Sequence, residues 1–408
     1  MVKLEDIIDA YYDCRKHKRG TENALMFELD YQINCVSLYN DINNRTYKPT
    51  TSIAFIVTKP RRREIFAADF RDRILHHYVD AKIRPLLELE FIEKTCNNRK
   101  GKGTSKCVEY LRNDIIEVSE NYTSNCYVAK MDISGFFMSI SKSLLTTNII
   151  KFVEEKYTGP DKEDIIWLLK VLINDNPESH CVLKSPWSEW LKIDKNKSLF
   201  FGDKDKGLPI GNLISQLLAN FYLNDLDHYI TEELGFTHYG RYVDDFYIVY
   251  KSKEEILNAI PLIREKLKEV GLQLHKKKFY IQHYSKGIEF VGTVIKPGRT
   301  YVHGRTVNNA FRAIEKLNKE YKPGTEENAV AVINSYLGFM KNHKTYAIRR
   351  KLLDTISPKL MQKLYISGHH EKVVLKEDYK RLSIIKLKLS NNGNKKLNQS
   401  KVRRDKCA

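Results

Sequence analysis

The 408-residue sequence predicts an α+β protein ending in a helical module. Three observations predict it. Strand-type runs such as RYVDDFYIVY (241–250) stand among helical segments rather than in a block of their own. In IGNLISQLLANFYLNDLDHYI, the residues Ile210, Leu213, Ile214, Leu217, Leu218 and Phe221 repeat with the period of a helix that buries one face. Beyond about residue 305 the period is helical alone, carried by Phe311, Ile314 and Leu317 and then by Val330, Ile333, Leu337 and Met340.

Taken in order, residues 1 to about 45 read as helical, up to NNRTYKP. SIAFIVTKPRRREIFAADFRDRILHHYV gives a short strand, a basic turn and a helix from about Phe70. CNNRKGKGTSKC (96–107) is a glycine-punctuated basic loop. NCYVAKMDISGFF (125–137) reads as a strand that ends at Asp132 and then meets a glycine. Residues 157–206, with PWSEW and DKNKSLFF, form a mixed insertion without a periodic pattern. Gly207-Leu208-Pro209 leads into a helix starting at Ile210. A hairpin with Asp244-Asp245 as its two-residue turn follows, then a helix over 253–270, LQLHKKKFYI, and GIEFVGTVI as one further strand.

Such a chain is too long for one ordinary core, so two or three subdomains are expected. An apolar fraction of 42% with 11% aromatics suits folded cores. The net charge of +18 points to a polyanionic partner, most often nucleic acid. From Glu371 to Ala408 there are 12 basic against 4 acidic residues, which makes the C-terminal stretch a basic extension. Seven scattered cysteines without a C-x-x-C pair predict reduced thiols and no zinc site. The opening MVKLEDIIDAYYDCRK has acids where a signal peptide needs an apolar stretch, and no apolar run is long enough to span a bilayer. The expectation is a soluble cytoplasmic protein with no membrane partner.

Acids are depleted from strands and seldom buried without a partner, so Asp244 and Asp245 in the middle of RYVDDFYIVY call for a reason. An ordinary turn is one. The other is a metal site completed by Asp132, because two-metal phosphoryl transfer needs carboxylates converging on hard cations. Mg²⁺ in such sites takes a few carboxylates, waters and substrate phosphates rather than a full protein cage.

KMDISGFF, KGLPIGNLISQ, YVDD, HKKKF and FVG occur in this order, and the series resembles the successive palm motifs of reverse transcriptases from about Lys59 to Gly292. The resemblance implies a right-hand polymerase with fingers (1–120, including the N-terminal helices), a palm (121–300, with a fingers-like insertion at 157–206), a helical thumb (301–365) and a basic extension (366–408). It implies that Asp132, Asp244 and Asp245 bind two Mg²⁺ ions, or Mn²⁺, with the backbone of Ile133 as a further ligand. Phe137 matches the bulky residue that excludes a 2′-hydroxyl, with a plain core aromatic as the alternative. Gly211 matches the position where backbone lies against the incoming nucleotide, with Ile210 beside it. Arg63 and Arg73 match the fingers residues that grip the triphosphate, for which a guanidinium fork is suited. Lys278, or its neighbour Lys277, matches the lysine that protonates leaving pyrophosphate. FVG (290–292) resembles the primer-grip turn, and RKGKG (99–103) a contact to the template backbone or else a solvated loop.

Two departures narrow the family. Ile210-Gly211 stands where most bacterial reverse transcriptases have Gln-Gly, and Ser215-Gln216 where they have Ser-Pro. The pattern Ile-Gly-x-x-x-Ser-Gln is similar to the enzymes of diversity-generating retroelements, with defence-associated bacterial reverse transcriptases close behind. The implied function is RNA-directed DNA synthesis on a dedicated structured non-coding RNA, with a DNA primer or product, dNTPs, and an accessory protein or second reverse transcriptase as further partners. A catalytically silent RNA-binding scaffold and a template-independent DNA polymerase stay open as alternatives. A two-metal nuclease would explain the acids but not Phe137, Gly211 or the thumb.

Overall fold

The computed structural model describes residues 1–16, 20–58 and 61–376. It divides into two compact units, Met1–Tyr284 and Ser285–Ala408.

The first unit opens with α1 (Leu4–Arg15), α2 (Glu22–Leu29) and α3 (Tyr31–Asn43), followed by the antiparallel strands β1 (Ser52–Val57) and β2 (Arg63–Ala67). Asp69 accepts a hydrogen bond from the Arg71 amide and so caps α4 (Phe70–Glu90), whose buried face runs from Phe70 to Leu87. The basic loop then leads into α5 (Thr104–Val118). After β3 (Tyr127–Asp132) come α6 (Phe136–Ser139), α7 (Lys142–Lys156) and α8 (Lys162–Asn174), and then β4 (Cys181–Leu183).

The 157–206 insertion, unreadable in sequence, has a physical anchor. Its strand β4 pairs in parallel with β1, Ile53 opposite Val182, which makes a three-stranded sheet ordered β2-β1-β4. Trp190, Ile193 and Leu199 cover the buried face of that sheet, over Ala54, Ile56 and Phe66. Glu64 on β2 is fully buried beneath them and accepts hydrogen bonds from Trp190 Nε1 (2.7 Å), Ser198 Oγ (2.5 Å) and the Leu199 amide (2.8 Å). Burial raises its carboxyl above the usual range, and the three donors work against that rise. A buried carboxylate so satisfied makes the insertion part of the sheet.

The expected helix at Ile210 starts three residues later: α9 covers Leu213–Tyr222 and is followed by α10 (Asn224–His228). The delay has a tertiary cause, because the Phe66 amide of β2 donates to the Ile210 carbonyl at 2.9 Å and holds that stretch against the sheet. Next come β5 (Tyr239–Tyr242), β6 (Asp245–Tyr250), α11 (Lys253–Glu269) and β7 (Tyr280–His283). The four-stranded antiparallel sheet β5-β6-β3-β7 carries the aspartates. Its core includes Val128, Met131, Phe246 and Ile248, all without exposed surface.

In the second unit, GIEFVGTVI is not one strand. Val291 and Gly292, at φ 39° and 84°, break it into β8 (Ile288–Phe290) and β9 (Thr293–Lys296), which continue into β10 (Arg299–Val302). The helices α12 (Gly304–Glu320), α13 (Glu326–Met340), α14 (Tyr346–Asp354) and α15 (Pro358–Met361) follow. A hairpin not expected from sequence, β11 (Leu364–Ser367) and β12 (Lys372–Leu375), packs on α13. There Asn334 exchanges two hydrogen bonds of 2.8 Å with the backbone of Val373. Residues 377–408 of the basic extension lie outside the described residues.

Candidate active site

The acidic residues meet on the four-stranded sheet. Asp132 ends β3 and lies directly opposite Asp245, the first residue of β6. The turn between β5 and β6 is therefore Val243-Asp244 rather than Asp244-Asp245, since Asp245 already pairs with Tyr242 and Asp132. The Asp244 carbonyl accepts from the Ile133 amide at 3.2 Å, which ties the turn to the end of β3. The Asp132 carbonyl accepts from the His275 amide at 2.7 Å, and the Gln273 carbonyl from the Ser134 amide at 2.8 Å, so the segment before β7 runs alongside.

Crowding three carboxylates raises their demand for positive charge. The Asp244 carboxyl is pushed up to about 6, first by burial and then by the charges of Asp245 and Asp132. Burial also raises Asp245, against the pull of Lys130, whose Nζ lies 3.5 Å from its Oδ1. Lys278 Nζ donates to both Asp132 oxygens, at 2.7 and 2.6 Å. Two ammonium groups thus stand in for cations at this cluster. Hard carboxylate oxygens, buried at Asp132 and half-buried at Asp244 and Asp245, fit an octahedral divalent ion such as Mg²⁺.

The other expected residues fall into separate settings. Phe137 is half-buried in α6, its carbonyl accepting from the Leu208 amide at 2.9 Å. Gly211 adopts φ 124°, and a Cβ there would sit 2.7 Å from the Phe66 carbonyl oxygen, so its close approach within the structure is to β2. Arg63 is exposed at the start of β2, near enough to Tyr242 to counter the upward push that burial gives its hydroxyl. Arg73 Nε donates to the Ala68 carbonyl at 2.8 Å, and its side chain lines an open groove of about 800 Å³ with Arg71, Lys184, Phe27 and Phe55. In RKGKG, Arg99 is engaged by Glu88 (2.6 Å) and by two carbonyls, and Lys102 by Glu93. These two side chains hold the loop together.

Sequence reasoning passed over Arg241, which reads there as one more residue of a strand run. It is fully buried and paired with Asp227. A charged residue at the inward position of an apolar strand was the available signal. A separate group, Asp114, Glu117 and His238, also brings ligand-type atoms within 4.8 Å of one another. Asp114 is already held by Lys94 (2.5 Å) and the Tyr247 hydroxyl (2.8 Å), which accounts for it structurally. Among the described residues the six cysteines form no disulfide, and five of them are buried. No helix among those residues is long and apolar enough to cross a membrane.

Residues 57–295 match the family described as reverse transcriptase (RNA-dependent DNA polymerase). Protein YkfC of Escherichia coli strain K12 is 20% identical over 316 residues, which cover 68% of this chain and 75% of that protein. Among solved structures, apo telomerase from Candida tropicalis aligns with 75% of this chain at 14% identity and a TM-score of 0.46. Telomerase from Candida albicans in complex with a fragment of telomeric RNA aligns with 82% at 12% identity and a TM-score of 0.42. The chain spans 55% and 65% of those two telomerase chains.

Proposed function

The chain belongs to the reverse transcriptase (RNA-dependent DNA polymerase) family, whose members are nucleotidyltransferases with a right-hand polymerase fold, and from that premise we propose that Asp132, Asp244 and Asp245 hold two divalent cations for DNA synthesis. The observation that carries this reading is the register of the sheet, which sets Asp132 against Asp245 with Asp244 next to both. The two ions would supply Lewis acidity at the primer hydroxyl and at the transferring phosphate. The chain's own residues do the rest. Arg63 and Arg73 grip the triphosphate, and Lys278 leaves Asp132 to give a proton to pyrophosphate. Phe137 rejects a 2′-hydroxyl, while Ile210 and Gly211 border the nucleotide.

The template is a dedicated structured RNA of a bacterial retroelement or phage-defence system, read with a DNA primer and dNTPs. The Ile210-Gly211 and Ser215-Gln216 pattern supports the retroelement form. Fingers, palm and thumb take the ranges expected from the motifs. The test is Mg²⁺-dependent dNTP incorporation by the purified protein with its native RNA, beside Asp244→Asn. RNA binding without incorporation would leave an RNA-binding scaffold in its place; incorporation indifferent to RNA would leave a template-independent polymerase. If residues 377–408 contact that RNA, deleting them lowers the slope of log affinity against log salt. The cut belongs after Lys376, because β12 is built into the second unit.

A further inference from the structure

We propose that Asn97 and the buried Arg241–Asp227 pair are positioning residues that fix the Val243 turn and thereby aim Asp244; this rests on the reading of the three aspartates as the metal-holding centre. The turn needs help. Val243 has φ 61°, the left-handed region that a β-branched residue avoids and that a hairpin turn normally gives to glycine. Such a conformation persists only where its surroundings over-determine it. Both backbone groups of Val243 are captured by side chains. Its amide donates to Asn97 Oδ1 at 2.9 Å, and its carbonyl accepts from Arg241 Nη1 at 3.0 Å.

Each captor is itself locked. Arg241 Nε lies 2.8 and 3.0 Å from the two Asp227 oxygens, and Nη2 lies 2.5 Å from Oδ2. Asp227 also accepts from the Tyr239 hydroxyl (2.5 Å) and from Thr95 Oγ1 (3.0 Å). Asn220 on α9 donates to the Asn97 carbonyl at 2.9 Å and accepts from Arg241 at 3.3 Å. The backbone closes the ring: the Arg241 amide donates to Lys94 and the Cys96 amide to Arg241, at 3.0 and 2.9 Å.

Net stability does not explain the arrangement, because a buried ion pair gains little over a well-packed apolar pair. What the pair adds is direction. A guanidinium held in bidentate fashion by Asp227 presents its remaining nitrogen along one line, and that line ends on the Val243 carbonyl.

The test uses the full-length protein and Asn97→Ala, with Asn97→Asp keeping an acceptor oxygen in place. Mn²⁺ binding is counted from the electron paramagnetic resonance of the free ion, beside the Mg²⁺ half-saturation of dNTP incorporation and the melting temperature. Losing one hydrogen bond at the turn is expected to weaken metal binding about fivefold in Asn97→Ala, with KM for primer–template unchanged. Asn97→Asp should return it to the wild-type value or tighter. Metal binding and half-saturation like wild type in Asn97→Ala, with only a lower melting temperature, would make the network purely structural and end the proposal. Asp244→Asn runs in the same assays. If it synthesises DNA like wild type, the metal-centre reading itself has failed and takes the proposal with it; if only Asn97→Ala is silent, the proposal alone falls.

Discussion

The hairpin β5–β6 and the hairpin β8–β9 both reverse at a valine with positive φ, 61° at Val243 and 39° at Val291. They part at the next residue. The second hairpin continues with Gly292 at φ 84°, a residue for which that backbone carries no steric penalty. The first continues with Asp244, and its reversal is held by Asn97 and Arg241 instead. The second turn has a glycine to carry the conformation and one backbone partner, the His303 amide, which donates to the Gly292 carbonyl at 3.0 Å. Where a carboxylate must occupy the reversal, the holding groups come from elsewhere in the fold.

The most severe way to break this comparison is to remove the carboxylates. Asp244→Asn or Asp132→Asn should lower dNTP incorporation at least about a thousandfold while leaving the protein folded. Comparable DNA yield from either variant at saturating Mg²⁺ would show that the first turn is as ordinary as the second.

Protons provide the next measure. Because the folded Asp244 carboxyl lies up at about 6, above its unfolded value, the unfolded chain ionises first as pH rises. The metal-free fold therefore loses stability between about pH 4 and about pH 6, and Asp244→Asn should lack that part of the slope, about 1–3 kcal/mol across the window. Metal uptake runs the other way and weakens as pH falls below about 6, because the ion and the proton compete. Superimposable melting-versus-pH curves for the two proteins would refute the assignment.

Gly292→Ala perturbs the other hairpin. A Cβ at φ 84° would meet Phe339 Cζ at 3.3 Å, and the substitution should cost about 1 kcal/mol without moving the Mg²⁺ half-saturation. The smallest effect concerns Ile210, which has no donor or acceptor to test a base pair. Ile210→Gln should lower the misincorporation rate several-fold when cDNA from both forms is sequenced on one template. Identical error spectra would make Ile210 a packing residue only.

Much of this was legible in the sequence, for reasons that particular residues make plain. The strand bearing Asp245, DFYIVY, is a run of branched and aromatic residues, and the helices of the second unit keep a clean period. What stayed hidden depends on distant partners. The start of α9 is delayed by a hydrogen bond from Phe66, and the insertion is organised by a carboxylate more than a hundred residues before Trp190. The β5–β6 turn is one residue off because register is set across the sheet, by Asp132, and not by the turn residues alone. The strands of the last hairpin are four residues each, too short for an alternation to register. Lysine at 278 was readable as a charge; its bond to Asp132 was not.

Glu64 and Arg63 are neighbours on β2, one sealed beneath the insertion and the other exposed. Adjacent residues of a strand point to opposite faces, so the anchored carboxylate and the exposed guanidinium are separated by a single peptide unit. Any shift of Arg63 along the strand must carry with it a carboxylate bolted to Trp190, Ser198 and Leu199. The insertion that seals Glu64 also closes on the segment after Asp132, where a Cβ at Gly135 would meet the Asn196 carbonyl at 3.2 Å, so one fold element borders both the sheet and the aspartates.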